Sequence, residues 1–430
     1  MRLGIIADDL TGANDTGVQF ALRGARTLVP LDWHDLKSLA RTADVLVLNT
    51  NSRALPARVA AQRARIAAEA LRRAGVEAIY KKIDSTFRGN IGAELDAILD
   101  VFPSPLAVLT PAFPPAGRAV RDGVLLVRGV PVHRTAAGRD PVTPVRESHL
   151  PTLLERQVRR PVYTLRLATL RGNAAQLCRT FREWREAAAH GIVLGDAVTP
   201  LDLDRLARLI AREGLFGVVA GSAGLATAVS AVLRWPRRAG RTMPGAKSPM
   251  LLVVGSPNPA SLEQVAWIED RGRASVVRVT ISEVVGDEER YRKELDRVVK
   301  KARAEMRAGR TTVLTLAQRP SASGGQRALR PSASKTLSEF LGQATRLVAC
   351  EVRPGGLLFC GGDIAVAACS TLGANGIQLH GEVEPGVPWG RLVGGDFACL
   401  PALTKAGGFG KPDTFARAIR FLRPRRARTG

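Results

Sequence analysis

Five charged side chains stand where short apolar runs stop. Asp8 and Asp9 end the run Leu3–Ala7, Arg53 closes "NTNSR" after "DVLVL", and Asp84 and Arg88 belong to "DSTFRGN" after "AIYKKI". Adjacent carboxylates raise each other's cost of ionising, so Asp8 and Asp9 invite a division of labour. One would handle a ligand and the other would support the turn or helix start. Arg53 and Arg88 could fork onto a carboxylate, while the aspartates and Asn51 could take hydroxyls. Ser52, Ser85 and Thr86 add small polar groups to the set. The ligand that this chemistry describes is a small polyhydroxylated acid. Each residue also has a local alternative: Asp9 or Thr11 could cap the following helix, and Asp84 or Ser85 the next one.

A second set is built on glycine. Gly255-Ser256, "GGD" (Gly361, Gly362, Asp363) and "KAGGFG" (Lys405 to Gly410, with Gly407 and Gly408) again follow apolar runs. Glycine lets backbone N–H groups approach phosphate oxygens, and a helix N-terminus behind adds a favourable dipole. The spacing matches neither the P-loop nor the dinucleotide fingerprint. Three such turns together point to a nucleotide phosphate site.

The elements that must hold these residues are legible as a repeated sentence of apolar run, polar loop and helical stretch. "LGII", "DVLVL", "AIYKKI", "LAVLT", "GIVLG" and "FGVVA" read as strands of a largely parallel sheet built from βαβ units. Pro56 suits a helix start and Gly75 a helix stop, while "NIGAELDAIL" carries Ile91, Leu95, Ile98 and Leu99 on one helical face. Between Val124 and Leu150 the pattern loosens, and a hairpin turned at Arg128-Gly129 is expected. The basic, Pro/Gly-rich stretch 234–249 reads as a linker. "MLLVVGS", "TTVLTL", "GLLFCGGD" and "LPALTKAGGFG" then form a second α/β series. The expectation is therefore two α/β domains with mostly parallel sheets, 1–235 and 249–424. Ligands bind beyond the carboxyl ends of strands in such sheets. "GSAG" at Ser222 reads as a helix start with room for a substrate contact, and "GEVEPGVPWGRL" as a defined turn. Residues 318–334 are expected to form a mobile loop and the last residues a frayed tail.

Composition narrows the function. The 430 residues carry 63 Lys and Arg against 39 Asp and Glu, a net charge of +24. The arginines alternate with alanine in segments such as "ARVAAQRARIAAEALRRAG", which reads as a solvated helix face, so no nucleic-acid partner is expected despite the charge. The cysteine number is odd at five, with no C-x-x-C pair, which disfavours a disulfide framework or a structural zinc and suits a reducing cytoplasm. The five histidines lack metal-ligand spacing. No leader or membrane span is read, since Asp8 and Asp9 interrupt the first apolar run.

Assembled in order, "IADDLTGANDTGVQFALRG", "KKIDSTFRGNIGAELDAIL", "PAFPPAGRAVRDGVLLVRGVPV", "DPVTPVRESHL", "GSAGLA", "GGDIAVAACSTLGA", "GEVEPGVPWGRL" and "TKAGGFGKPDT" resemble the four-carbon acid sugar kinase family of 3-oxo-tetronate, D-threonate and D-erythronate kinases. The resemblance implies an N-terminal sugar-acid domain, a C-terminal ATP domain, and an active site in the interdomain cleft. It implies transfer of the ATP γ-phosphoryl to a terminal hydroxyl, with Mg2+, whose ligands it does not assign. Carried over by motif, Asp8, Arg53, Lys82, Asp84 and Arg88 look like the substrate side; of these Asp8, Lys82 and Asp84 are read as catalytic, with Asp8 favoured to orient or deprotonate the hydroxyl. Asp9, Asn51, Arg53, Ser85 and Arg88 would bind substrate. Ser256, Gly361, Gly362, Asp363, Lys405, Gly407 and Gly408 would bind the nucleotide. Of Lys81 and Lys82, alternation lets only one face the site. Where the family usually reads G-G-D-T-A, this chain has Ile364 in place of threonine. Two rivals stand beside this reading: a nucleotide-dependent dehydrogenase, disfavoured by the missing G-x-G-x-x-G, and a non-catalytic anion or nucleic-acid binding protein. A homo-oligomer is left open.

Overall fold

The computed structural model describes residues 2–33, 36–140, 142–187, 190–235, 248–316 and 331–423. The chain divides into two units: one runs to Arg238 except for Pro30–Asp32, which fall with Ala239–Gly430 in the other. Of the expected linker, residues 236–247 lie outside the described residues, as do residues 318–330 of the expected mobile loop, His34 and the tail from 424 onward. Residues 331–334, read as loop, instead begin the helix Pro331–Val352.

The first unit contains β1 (Leu3–Ala7), β2 (Thr27–Pro30), β3 (Val45–Asn49), β4 (Ala78–Lys82), β5 (Leu106–Thr110), β6 (Arg118–Arg121), β7 (Val124–Val127), β8 (Val130–Pro131), β9 (Val162–Leu165), β10 (Gly191–Gly195) and β11 (Val218–Gly221). Its main strands run in the order β2-β3-β1-β4-β11-β5-β10-β9, and their pairings are parallel. All five residues of β1, β4 and β5 are buried, as fits strands covered on both faces. The strands β2 and β9 were not anticipated, because each is short and carries no long apolar run.

Alanine does the packing between two of the helices. In Ala57–Arg73, Ala60, Ala64, Ala67, Ala68 and Leu71 are buried while Arg58, Arg63, Arg72 and Arg73 face solvent. That buried stripe packs on the helix Ile91–Val101, whose Leu95 and Ile98 are fully buried. The arginines therefore supply solvated charge, as the alternation predicts. The hairpin at Arg128-Gly129 is present, with φ of 50° and 82°, the left-handed pair that a two-residue turn demands. The turn Asp122-Gly123 repeats it at 49° and 74°. Together β6, β7 and β8 form a separate antiparallel sheet.

One device that holds this unit uses none of the candidate site residues. Asp202 is buried in a capping box with Thr199 and accepts both forks of Arg171 at 2.8 Å. Burial works against its charge, yet these donors hold its carboxyl well below the ordinary range. Asp202→Ala is expected to lower stability by about 2 kcal/mol, the scale of hydrogen bonds to a charged group, while leaving turnover per folded molecule unchanged. Urea melts beside an activity assay check both halves.

The second unit contains β12 (Leu251–Val254), β13 (Ser275–Arg278), β14 (Thr312–Thr315), β15 (Leu357–Cys360), β16 (Gly376–Glu382), β17 (Pro388–Val393) and β18 (Pro401–Lys405). The order is β13-β14-β12-β15-β18-β17-β16. The first five are parallel, while β17 runs antiparallel to β18 and β16. Leu252, Val254, Val313, Leu358, Leu403 and Phe415 sit in its core. "GEVEPGVPWGRL", read as a turn, is the end of β16, the turn and most of β17.

Candidate active site

In the first unit β1 lies between β3 and β4, so chain connections leave it toward both sides. Open α/β sheets take ligands at such a switch point, beyond the carboxyl ends of the strands. The three ends deliver Asp8 and Asp9, the loop to Arg53, and Lys82 with the loop Asp84–Arg88. Arg53 Nε donates to Asp8 Oδ2 at 2.7 Å and Nη2 to Asp8 Oδ1 at 2.8 Å, while Nη1 donates to Asp9 Oδ2 at 3.0 Å. Arg88 Nε and Nη2 fork onto Asp84 at 2.9 and 3.0 Å, and its Nη1 reaches Asp140 at 3.0 Å. Arg53 also lies 3.9 Å from Asp84, which links the two clusters.

The electrostatics follow from burial opposed by these cations. Burial would lift the Asp8 carboxyl, but the Arg53 charge and hydrogen bonds, with Lys81 and Lys82 nearby, hold it below the usual carboxylate range. Asp84 is buried too, and Arg88, Arg53 and Thr86 more than compensate, so it sits well below that range. Asp9 does the structural half of the expected division: its Oδ1 accepts from Gly12 N at 2.9 Å and caps the helix Leu10–Leu22. The helix-start alternative thus holds for Asp9, which touches Arg53 as well.

The two lysines of β4 part as alternation requires. Lys81 Nζ lies 2.6 Å from Glu94 Oε2, in an ion pair whose side chains are 1% and 2% exposed. Ser52 joins it by donating to Glu94 Oε1 at 2.6 Å, so Ser52 is a buried structural residue. Lys82 instead crosses Gly12, where an added Cβ would fall 2.7 Å from its Nζ. Asn51 is exposed in the loop after β3 at φ 46°, and Ser85 is half-buried beside Asp84. Ser222 caps the helix Ala223–Val232 and donates to Ala112 O at 2.7 Å, the helix-start role.

In the second unit the ends of adjacent β12, β15 and β18 bring the glycine turns together. Gly361, at φ 117°, opens the helix Gly362–Thr371 and donates its N–H to Lys405 O at 2.9 Å. Gly407 passes so close to Ser256 that a Cβ there would overlap Ser256 Oγ. Gly408 lies over Asn258, which caps the helix Pro259–Asp270. Asp363 is exposed in the first turn behind Gly361. Lys405 points inward: its Nζ donates to the carbonyls of Ala406 at 2.7 Å, Gly407 at 3.2 Å and Phe409 at 2.9 Å. An ammonium has three donors, so this lysine shapes the loop rather than offering a hydrogen bond outward. Ile364 also turns inward and packs under Gly255, where a Cβ would meet its Cδ1 at 2.4 Å.

Residues 3–229 match the sugar-binding N-terminal domain family and residues 251–415 the nucleotide-binding C-terminal domain family. The chain is 38% identical to D-threonate kinase of Salmonella typhimurium over 98% of both chains. It is 40% identical to D-threonate kinase of Bordetella bronchiseptica, over 99% of this chain and 98% of that one. The chain belongs to the four-carbon acid sugar kinase family. D-erythronate kinase of Heliobacterium modesticaldum is 33% identical over 97% of this chain and 96% of its own. The fold of Haemophilus influenzae protein HI1011 superposes with a TM-score of 0.76 at 24% identity, covering 97% of this chain and all of that one.

Phosphoryl transfer by a four-carbon acid sugar kinase requires fixed charge for an acidic acceptor and donors for a triphosphate. The enzyme uses ATP, and the dehydrogenase and simple binding-protein rivals are not favoured. Sequence reasoning missed Asp140, whose Oδ1 accepts from Val142 N and Thr143 N while Oδ2 holds Arg88. The signal was an Asp opening "DPVT", the signature of a side chain bonding its own backbone two residues on. Arg118 of β6 was missed as well; its charge acts on Asp84. Among the described residues, no helix is long and apolar enough to cross a membrane.

Proposed function

We propose that this kinase transfers the γ-phosphoryl of ATP to a terminal hydroxyl of D-threonate or of a near four-carbon relative. The observation that carries the reading is the pair of forked arginines, Arg53 and Arg88, at the switch point of the sugar-binding unit, surrounded by Asp8, Asp9, Asp84 and Asp140. One carboxylate per substrate and a run of hydroxyls is the ligand such a set recognises. The D-threonate preference is supported by the two relatives at 38% and 40% identity. Arg53 and Arg88 take the substrate carboxylate, Asp9, Asn51 and Ser85 its hydroxyls, and Asp8 and Asp84 keep the arginines oriented. Lys82 supplies positive charge where the phosphoryl group arrives. Ser256, Gly361, Gly362, Gly407 and Gly408 cradle the phosphates, with Lys405 positioning their loop.

Magnesium belongs to the same proposal. Among the described residues, no group of three His, Cys, Asp or Glu side chains could hold a metal. The ion would therefore come with the triphosphate, with exposed Asp363 as its protein carboxylate, and would neutralise charge on the β- and γ-phosphates. A reducing cytoplasm suits a chain whose five cysteines are all free.

An ATP-consumption assay across D-threonate, D-erythronate and the 3-oxo-tetronates tests the substrate. D-threonate is expected to give a kcat/KM at least about 10-fold above the others, the effect of one well-placed hydrogen bond worth about 1.4 kcal/mol. Equal or greater turnover of a 3-oxo-tetronate removes the D-threonate assignment, and no turnover of any four-carbon acid removes the substrate class.

A further inference from the structure

Phosphoryl transfer to a hydroxyl needs a place for the hydroxyl proton. Most carboxylates at the switch point are already committed. Both oxygens of Asp8 accept from Arg53. Both oxygens of Asp84 accept from Arg88, and Thr86 adds to one of them. Asp9 divides between the helix cap and Arg53. Asp140 divides between its own loop and Arg88. Asp8, Asp84 and Asp140 are held as carboxylates by donors they would have to give up on protonation, which makes them poor proton acceptors, and both oxygens of Asp9 are already occupied.

Asp15 differs. It lies in the helix Leu10–Leu22, three residues beyond Gly12, and side chains three apart share a helix face. That is the face Lys82 crosses, because the missing side chain of Gly12 leaves room for its ammonium. Among the described residues, nothing bonds the Asp15 carboxylate or the Lys82 ammonium, although Lys82 is only 6% exposed. The Lys82 ammonium, beside Gly12, and the donor-free Asp15 carboxylate leave hydrogen-bonding capacity that an incoming anion and a hydroxyl can fill. The neighbouring helix Ala223–Val232 brings no ionisable side chain; its Thr227 meets Gln19, one turn beyond Asp15. The charges facing Asp15 are thus Lys82 from β4 and Asp9 from the helix cap.

We propose that Asp15 is the catalytic base, taking the proton of the substrate hydroxyl while Lys82 holds the phosphoryl oxygens. This rests on the sugar-acid kinase reading above. The hydroxyl oxygen forms the new bond to the γ-phosphorus as the bond from that phosphorus to the β–γ bridging oxygen breaks. ADP leaves with that electron pair, and the proton passes to Asp15 and then to solvent. Burial and the Asp9 charge raise the Asp15 carboxyl above its ordinary value against the pull of Lys82, the direction that suits a proton acceptor.

The test compares wild type, Asp15→Asn and Asp15→Glu with Mg-ATP and the four-carbon acid panel. Calorimetry measures acid binding, and kcat is followed from pH 4.5 to 9. Asp15→Asn is expected to lose at least about 10²-fold in kcat, the lower range for general base catalysis, with acid affinity within about threefold. The acidic limb of the wild-type kcat profile should vanish in Asp15→Asn and return, displaced, in Asp15→Glu. A kcat for Asp15→Asn within threefold of wild type, or an acidic limb that survives the substitution, overturns the assignment. So does a kcat loss matched by an equal loss of acid affinity. Failure of the substrate reading is distinct: wild type itself would then turn over no acid in the panel.

Discussion

Arg53→Ala should lose roughly 10³-fold or more in kcat/KM, and it should be less stable by about 3 kcal/mol or more at neutral pH. The two losses share a cause. Arg53 is the fork to which Asp8 presents both oxygens, and Asp8 is 4% exposed. Removing one partner of a buried pair leaves the other charge uncompensated, at about 3–5 kcal/mol. The proposed carboxylate site loses one of its two guanidinium charges at the same time, and misplacing the acceptor by about 1 Å can itself cost about 10²-fold. Arg53→Lys separates the effects: the charge returns but the fork does not, so stability should recover more than turnover.

The pH dependence gives a second signature. In wild type the folded Asp8 lies below its ordinary value of 3.8, so its contribution is present above that pH and is lost as pH falls through the folded value. Without Arg53, burial dominates and lifts the Asp8 carboxyl above the unfolded value. The variant is then penalised as pH rises through that raised value. The stability gap between wild type and Arg53→Ala should therefore narrow from pH 7 toward pH 4. Chemical denaturation at both pH values measures it, and a constant gap would show that Asp8 does not depend on Arg53.

The arrangement was legible where local rules and topology agree. A parallel strand ends in an apolar-to-polar break, and the polar residues after it lie at the sheet's carboxyl edge whatever the detailed path. Hence Asp8, Arg53, Asp84 and Arg88 could be grouped from spacing alone, and hydrogen bonds confirm the contacts. Asp140 could not be grouped that way, since it reaches Arg88 across 52 residues and an antiparallel sheet of its own. The direction of a side chain was also hidden. Lys405 reads as a phosphate ligand by type, yet three carbonyls of its own loop take its donors. Ile364 also turns inward, filling the space that the missing side chain of Gly255 leaves.

The glycine loop should be the most size-sensitive part of the nucleotide-binding unit, and two neighbouring substitutions should behave differently. In Gly407→Ala the new Cβ would lie 1.9 Å from Ser256 Oγ, 2.9 Å from Ser256 Cβ and 3.2 Å from Asn258 Cβ. The hydroxyl could rotate only by giving up the bond it accepts from Asn258 N, and the Ser256 Cβ moves only with the end of β12. Nor can the loop retreat, because the Gly407 carbonyl is held by Ser261 at 2.7 Å and by Lys405. Forcing extra volume into such a place costs about 1–3 kcal/mol. If Ser256 and Gly407 line the triphosphate, that cost appears as a Kd for ATP raised roughly 10- to 100-fold. Gly408→Ala is the control, since its Cβ would come no closer than 3.3 Å to Asn258 Nδ2, a contact the amide can relieve by a small rotation. It should change ATP affinity by less than about threefold. Affinity for the sugar acid, measured without nucleotide, should be unchanged in both variants, because its proposed contacts come from the other unit. Wild-type ATP affinity in Gly407→Ala would remove the loop from the nucleotide site.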